Sequence, residues 1–136
     1  MDIGLAIILH PSEQKILISR RSDTVHLAGY WEFPGGKCNY GESLSACALR
    51  EAYEEVGVIA DIVESWPTIT HEYPERTVNL HPFLCKARSA AIVEHGMGDT
   101  QWVSISDLEN FAFPEANGPL VKRIQELDSG QFSSNT

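Results

Sequence analysis

The segment Leu44–Val56 constrains the fold more strongly than any other part of this sequence. It contains neither glycine nor proline, it follows Ser43, which favours a helix N-cap, and it precedes Gly57, which suits a left-handed helix end. We therefore predict an amphipathic helix here, with its apolar side packed against a sheet. At about 3.6 residues per turn, the residues on that side are Leu49, Ala52, Tyr53 and Val56.

Short apolar segments with many β-branched residues predict strands before this helix. Residues 3–10 and 15–20 are separated by the turn-prone residues 11–14, so we expect them to pair as neighbours. Residues 31–33 predict a short extended piece. A loop should begin after it, at Pro34-Gly35-Gly36, where the backbone is expected to turn sharply.

The second half of the chain predicts further strands and then a second helix. Strand-like segments occupy residues 58–63, 68–72, 77–86 and 102–103. Pro82 indicates an edge strand or a bulge, because proline cannot donate a ladder hydrogen bond. Ser106 is expected to begin a capped helical turn. The apolar face of the second helix consists of Leu120, Val121, Ile124 and Leu127. The polar residues 128–136 are expected to form a flexible tail. We expect residues 1–127 to form a single domain.

The charge of the chain argues against some classes of partner. The formal net charge is -9 and no run of lysine and arginine is present, which disfavours binding to long nucleic acids. A small phosphate ligand remains compatible, since a bound metal ion inverts the local field. The apolar run after Met1 lacks a basic leader and is too short to cross a bilayer, so we interpret it as a strand. We expect a cytoplasmic monomer without a membrane anchor.

The three cysteines, Cys38, Cys47 and Cys85, are an odd number and include no Cys-x-x-Cys pair. This pattern indicates neither a closed disulfide framework nor a zinc site. We therefore expect reduced thiols, as in other cytosolic proteins.

Three acidic residues of the predicted helix, Glu51, Glu54 and Glu55, fall within one arc of its surface. Like charges at this spacing destabilise a helix by about 0.2–0.5 kcal/mol per pair unless a cation binds them. Carboxylate oxygens suit Mg²⁺ or Mn²⁺. A solvated acidic face is the commoner explanation of an isolated Glu-x-x-Glu-Glu, so the spacing alone does not establish a metal site.

A longer run around these glutamates is more specific. Its order is Gly36, five residues, Glu42, seven residues, Arg50-Glu51, two residues, Glu54-Glu55, one residue, Gly57 and Val58. This run resembles the Nudix box at every fixed position, although Ala52 is smaller than the aliphatic residue that is frequent there. The resemblance to MutT-type members of the family extends to Leu127, through Arg20-Arg21, residues 27–37, 73–76 and 113–117, and Trp102-Val103.

The resemblance implies an α+β fold, the Nudix α/β/α sandwich around a mixed β-sheet. It also implies a Mg²⁺ cofactor, with Mn²⁺ as a substitute. The implied metal-binding positions are the Gly35 carbonyl, Glu51, Glu54 and Glu55. The implied catalytic residues are Glu51, Arg50 and Glu54, with Glu51 a candidate general base and Arg50 orienting a glutamate. On its own, an arginine such as Arg50 is more often an ordinary surface charge of a helix. Glu42 is equally compatible with a surface acid that the helix dipole favours.

One position departs from the family pattern. Many MutT-type enzymes have a glutamate just before the tryptophan that follows the long loop, and here this residue is Gln101. An amide does not accept a proton at neutral pH. Two alternatives stay open: Asp99 substitutes for the missing glutamate, or the helix glutamates suffice.

The family resemblance also implies a set of substrate-binding residues: Arg21, His26, Glu32, Phe33, Arg76 and Asn117. Ordinary alternative roles are a surface charge for Arg21 and Arg76, a loop residue for His26 and a core residue for Phe33. Asn117 is equally suited by local chemistry to cap the last helix. Its Phe-Pro-x-Ala-Asn context favours base contact, because in this family the asparagine of that segment recognises oxidised guanine.

The resemblance implies a metal-dependent nucleoside triphosphate pyrophosphohydrolase, with 8-oxo-dGTP as the leading substrate and a nucleoside monophosphate and pyrophosphate as products. Pyrophosphohydrolases for CTP or a modified pyrimidine share the box and the fold, so they remain the main alternative. A non-catalytic Nudix module that binds nucleotide or protein is disfavoured by the intact glutamates. A purely structural acidic domain leaves Arg50 and the glycines unexplained.

Overall fold

The computed structural model describes residues 1–20, 29–92 and 99–127 of the chain. The first half contains strands β1 (Asp2–Leu9), β2 (Lys15–Arg20), β3 (Trp31–Glu32) and β4 (Gly35–Lys37) and helix α1 (Leu44–Val56). The second half contains strands β5 (Ala60–Ser65), β6 (Ile69–Tyr73), β7 (Arg76–Ala87) and β8 (Thr100–Ser104) and helix α2 (Gly118–Gln125). Two short 3-10 helices, Ile105–Asn110 and Glu115–Asn117, connect β8 to α2.

Strand β1 lies inside one mixed sheet. The main strand order is β3-β2-β1-β7-β5, while β4 pairs with β1, β6 with β7 and β8 with β2. Strand β1 runs parallel to β7 and antiparallel to β2 and β4. The pairing of β1 with β2 confirms the predicted neighbours. The predicted helical turn is present as the first 3-10 helix, but it begins at Ile105 rather than Ser106 and has no side-chain cap.

Alternating side chains of β1 divide the core into two layers. Leu5, Ile7 and Leu9 pack in one cluster with residues of α2 and the first 3-10 helix. Ala6 and Ile8 pack in a second cluster with residues of α1. Opposite faces of the sheet are therefore covered by different helices, as in the predicted α/β/α sandwich.

Helix α1 begins and ends at the predicted residues. The Ser43 hydroxyl accepts a hydrogen bond from the Ala46 backbone N–H at 3.2 Å. Gly57 adopts the left-handed conformation, with φ 68°, and its N–H donates to the Tyr53 carbonyl. Local capping chemistry thus sets both ends of the helix that carries the glutamates.

The buried side of α1 differs from the prediction by a small rotation. Tyr53 is 57% exposed, so it does not belong to the apolar side. A Cβ atom at Gly4 of β1 would lie only 2.8 Å from both the Ala48 nitrogen and the Cys47 sulfur, which shows how closely the helix approaches the sheet here. The buried residues of α1 are Cys47, Ala48, Ala52 and Val56.

The predicted loop at Pro34-Gly35-Gly36 is wrong in part, because Gly35–Lys37 forms β4. This strand pairs antiparallel with β1, with Gly35 opposite Leu5 and Gly36 opposite Gly4. A Cβ atom on Gly35 would collide with the Gly4 carbonyl oxygen. The glycines serve close backbone approach within the sheet rather than a turn.

Pro82 lies within β7, between β1 and β5, and not in an edge strand. Pairing of β5 with β7 ends at Phe83, whereas pairing of β6 with β7 begins at Leu80. Pro82 therefore faces a gap between these two partner strands, where a missing ladder hydrogen bond is tolerated. The irregular register is in β5, between Ile62 and Glu64.

The expectation of three reduced thiols is also wrong, because Cys38 and Cys47 form a disulfide. Cys38 directly follows β4, and Cys47 lies in the first half of α1. The Cα atoms of the two cysteines are 5.3 Å apart, which is within the usual range for a disulfide. Cys85 is a free and buried thiol, and burial raises its pKa to about 12.

Neither helix of the described residues is long and apolar enough to span a membrane. The predicted tail, residues 128–136, lies outside the described residues.

Candidate active site

Arg50 connects three of the box carboxylates. Its Nε and Nη2 atoms donate to the two carboxylate oxygens of Glu42 at 2.6 and 2.9 Å. Its Nη1 donates to Glu51 at 3.2 Å and to Glu54 at 3.1 Å. Nη2 also donates to the Lys37 carbonyl at 3.2 Å, which ties the guanidinium to the end of β4. The arginine thus holds several helix side chains in fixed orientations.

The pair between Arg50 and Glu42 is the strongest electrostatic feature of this group. Hydrogen bonds from Arg50, and then from the Asn39 backbone N–H, lower the pKa of Glu42 from its ordinary 4.5 to about 2. The same contact with Glu42 raises the pKa of Arg50. Glu42 is therefore an anchor for the arginine, and not the isolated surface acid that the sequence alone left open.

The backbone of β4 lies directly against two glutamates of α1. The Gly35 N–H donates to Glu55 Oε2 at 3.0 Å. A Cβ atom on Gly36 would lie 2.5 Å from the Glu51 carboxylate, so only glycine leaves room for that carboxylate. Carboxylate oxygens of α1 and backbone groups of β4 therefore lie next to each other where the helix meets the sheet.

The expected convergence of Glu51, Glu54 and Glu55 is incomplete. Within residues 1–20, 29–92 and 99–127, no three acidic, histidine or cysteine side chains are grouped closely enough to hold a metal ion. Arg50 engages the first two glutamates, and the Gly35 N–H engages Glu55. The helix brings them to one side, as predicted, but their carboxylates point to different partners.

A cavity of about 670 Å³ opens beside β4. Five of the predicted site residues line it: Glu32, Phe33, Gly35, Arg76 and Asn117. Gly36, whose backbone touches Glu51, lines it as well. The cavity therefore joins the glutamate-bearing region to Arg76 of β7 and to Asn117 of the second 3-10 helix.

Asn117 occupies the position before α2 but does not cap it through its side chain. Its backbone N–H donates to the Pro114 carbonyl at 2.9 Å, and the residue lines the cavity. The capping alternative is thus not realised. Phe33 is only 2% exposed and stacks on Phe113 at 5.0 Å between ring centroids, so it serves the core as well as the cavity wall.

Sequence reasoning missed the apolar lining of this cavity. Ile3 and Leu5 of β1 and Val78 and Leu80 of β7 contribute to it, as does Tyr73 at the end of β6. The first four alternate along their strands, which is the signal that would have placed each pair on one face. Recognising that both pairs share a cavity additionally requires the parallel pairing of β1 with β7.

The remaining predicted residues divide into two groups. Arg21 and His26 lie outside the described residues. Asp99 pairs with Arg20, with 3.0 Å between the Arg20 Nη2 atom and the carboxylate, and its carbonyl accepts from the Arg20 N–H. Gln101 is exposed on β8, opposite Ile18. The Asp99 carboxylate is therefore committed to an arginine in this structure.

The family model of the NUDIX domain matches residues 4–123, which include α1, β4 and most of the cavity lining. The chain belongs to the Nudix family. It is accordingly a hydrolase of the Nudix type, with the mixed sheet and helices of that fold.

Similarity to individual proteins extends over nearly the whole chain. An 8-oxo-dGTP diphosphatase of Escherichia coli K12 is 29% identical, over 93% of this chain and 98% of that protein. A CTP pyrophosphohydrolase of the same strain is 28% identical, over 93% of both chains. The structure of MutT from Methanosarcina mazei Go1 superposes with a TM-score of 0.80 at 25% identity and covers 91% of each chain. Nudix relatives with different named substrates are thus about equally similar.

Proposed function

We propose that this protein is a metal-dependent nucleoside triphosphate pyrophosphohydrolase that converts 8-oxo-dGTP to 8-oxo-dGMP and pyrophosphate. The observation that carries the proposal is the shared cavity, which is lined both by the glycines packed against Glu51 and Glu55 and by Arg76 and Asn117. A nucleotide bound there has its phosphates near carboxylates and its base near an amide.

The donor chemistry of the region fits Mg²⁺, for which Mn²⁺ is a substitute. Glu51, Glu54, Glu55 and the Gly35 carbonyl offer only hard oxygen ligands. The glycine at position 36 leaves the Glu51 carboxylate against the backbone, where a side chain would displace it. When bound, such an ion neutralises phosphate charge and lowers the pKa of a water molecule. Arg50 contacts one carboxylate oxygen, Oε1, of Glu51 and of Glu54, so each residue has a second oxygen to offer such an ion while it stays on the arginine.

The chain's own residues have distinct tasks in this proposal. Glu51 accepts the proton of the attacking water, because its carboxylate lies against Gly36, which lines the cavity. Arg50 positions Glu51 and Glu54, and Glu42 in turn fixes Arg50. Arg76 lies exposed on the cavity wall and supplies positive charge for the nucleotide in a chain of net charge -9.

Asn117 supplies base recognition in this proposal. Its amide N–H donates to O6 of an oxidised purine, and its amide oxygen accepts the N7–H that exists only after oxidation at C8. Unmodified guanine has an acceptor at N7, so the same amide oxygen would meet a second acceptor. The absence of a side-chain capping hydrogen bond supports this role, because the amide is not already committed to the helix end.

The test is a panel of 8-oxo-dGTP, dGTP and CTP with Mg²⁺, with products separated by ion-exchange chromatography. The proposal expects 8-oxo-dGMP and pyrophosphate, with the highest kcat/KM for 8-oxo-dGTP. A protein that binds these nucleotides without releasing products would instead be a non-catalytic Nudix module.

The similarity to a CTP pyrophosphohydrolase favours a second candidate, hydrolysis of CTP or of a modified pyrimidine triphosphate. Higher kcat/KM for CTP than for 8-oxo-dGTP in the same panel would support it. Either substrate is a small nucleotide of the cytoplasmic pool. We accordingly propose that the protein acts in the cytoplasm, as a monomer and without a long nucleic acid partner.

A further inference from the structure

The disulfide between Cys38 and Cys47 joins the two elements that form the proposed metal site. Cys38 directly follows β4, whose Gly35 and Gly36 touch the glutamates. Cys47 lies in α1, three residues before Arg50. The hydrolytic roles proposed above use neither sulfur.

The bridge encloses a short segment that contains the arginine anchor. Glu42 lies between the two cysteines, and its carboxylate accepts from both Arg50 and the Asn39 N–H. The Lys37 carbonyl, next to Cys38, accepts from Arg50 as well. Opening the bridge removes a covalent constraint from the segment that orients Arg50, and hence from Glu51 and Glu54.

The two cysteines of the bridge differ in burial. Cys38 is half-buried, whereas Cys47 is fully buried. A thiolate from solution therefore reaches Cys38 first, and Cys47 is the leaving sulfur. The third cysteine, Cys85, does not compete, because burial raises the pKa of its thiol to about 12 and keeps it protonated at neutral pH.

We propose that Cys38 and Cys47 are a reversible dithiol–disulfide switch that controls the affinity of the α1 glutamates for a divalent cation. This inference rests on the proposed function for the location of the metal site. The disulfide form holds the segment against α1 and binds the cation more tightly, and the dithiol form binds it less tightly. Disulfides in a reducing cytoplasm are usually transient or redox-sensing rather than structural, which agrees with a switch.

The chemistry balances with a small thiol as reductant. Its thiolate attacks Cys38 Sγ, a mixed disulfide forms at Cys38, and the Cys47 thiolate leaves and takes a proton. A second small thiolate then attacks the mixed disulfide, releasing the Cys38 thiol and one oxidised small-thiol dimer. In the reverse direction the dimer oxidises both cysteines, and two small thiols are released.

The experiment compares the full-length protein in oxidised and reduced glutathione buffers. Free thiols are counted after denaturation, the dissociation constant of Mn²⁺ is measured by electron paramagnetic resonance without nucleotide, and Tm is measured without metal. Cys38→Ser is the matched control, since it removes the accessible sulfur and leaves the buried one in place.

We expect one free thiol in the oxidised wild type and three in the reduced form, with full recovery on cycling. Reduction should weaken Mn²⁺ binding by about three- to tenfold, which is no larger than the loss of metal affinity that usually follows mutation of an outer-shell residue. It should also lower Tm by about 5 °C or more. Cys38→Ser should match the reduced form in both buffers.

An unchanged Mn²⁺ dissociation constant in the two forms would overturn the switch, as would a bridge that glutathione neither forms nor opens. These readouts do not depend on turnover. A protein that binds Mn²⁺ in a redox-dependent way but hydrolyses no nucleotide would leave the switch intact and refute the proposed function alone.

Discussion

The Nε atom of Arg50 lies 2.6 Å from Glu42 Oε2, and the same guanidinium contacts Glu51 and Glu54. A residue outside α1 therefore anchors the side chain that orients the helix glutamates. Glu42 is not among the described residues that line the cavity. Its contact with Arg50 explains why it nevertheless belongs to the Nudix box.

The first prediction concerns Glu42 and pH. Because Arg50 lowers the pKa of Glu42 to about 2, the carboxylate contributes to stability fully above its ordinary pKa near 4.5, and this contribution is lost as pH falls toward 2. Glu42→Gln should therefore have a lower Tm than wild type at pH 6, and the difference should shrink between pH 4.5 and pH 3. A Tm difference that stays constant over this range would contradict the pairing.

The second prediction separates two adjacent glycines. Gly35→Ala should destabilise the fold by about 1–3 kcal/mol, because its Cβ meets the backbone of β1. Gly36→Ala should keep more stability, because its Cβ meets the movable Glu51 carboxylate, but it should lower kcat. Gly118→Ala is the control, since nothing lies within 4 Å of its added Cβ. Urea unfolding and steady-state kinetics measure both effects, and a Gly36→Ala enzyme with normal kcat would argue against a role for Glu51.

The third prediction tests the glutamate cluster. Glu55→Gln deletes the negative charge of the side chain. Tm should change little, because the amide oxygen can still accept the hydrogen bond from the Gly35 N–H. Turnover with Mg²⁺ should fall by about a hundredfold or more, and activity should vanish when a chelator removes the metal. Glu109→Gln, an exposed charge on the first 3-10 helix, should behave as wild type. Hydrolysis that persists without metal would refute the mechanism.

The fourth prediction concerns the nucleophile. Among the described residues that line the cavity, none is serine, threonine, cysteine or histidine. Water should therefore attack phosphorus directly, so a reaction in ¹⁸O-labelled water should place the label in the nucleoside monophosphate or in pyrophosphate. Intact-protein mass spectrometry during turnover should detect no covalent adduct. Orthophosphate as the first product would be incompatible with the proposed reaction.

Local signals in the sequence were sufficient for the elements that depend on neighbouring residues. Ser43 and Gly57 set both ends of α1, and the short turn after β1 set its pairing with β2. Features that depend on distant approach were not predictable in this way. Gly35 and Gly36 have the composition of a loop, yet they pair within the sheet because β1 comes close enough to exclude a Cβ.

The same distinction applies to the candidate site. The spacing of the glutamates along α1 placed them on one side, but their actual partners, Arg50 and the Gly35 N–H, depend on how β4 packs. The bridge between Cys38 and Cys47 depends on the same packing, which composition does not encode. The apolar cavity wall required the register between β1 and β7, a contact between distant parts of the chain.

Base recognition by Asn117 is measured by the ratio of kcat/KM for 8-oxo-dGTP to kcat/KM for dGTP, in wild type and in Asn117→Ala. An opposed pair of acceptors costs about 1–3 kcal/mol, so this contact accounts for about tenfold to a hundredfold discrimination. We expect wild type to prefer 8-oxo-dGTP by at least this factor, and Asn117→Ala to lose this preference while its Tm stays nearly the same. An equal ratio in the two proteins, or a wild type without preference for the oxidised base, would contradict recognition of 8-oxo-dGTP by Asn117.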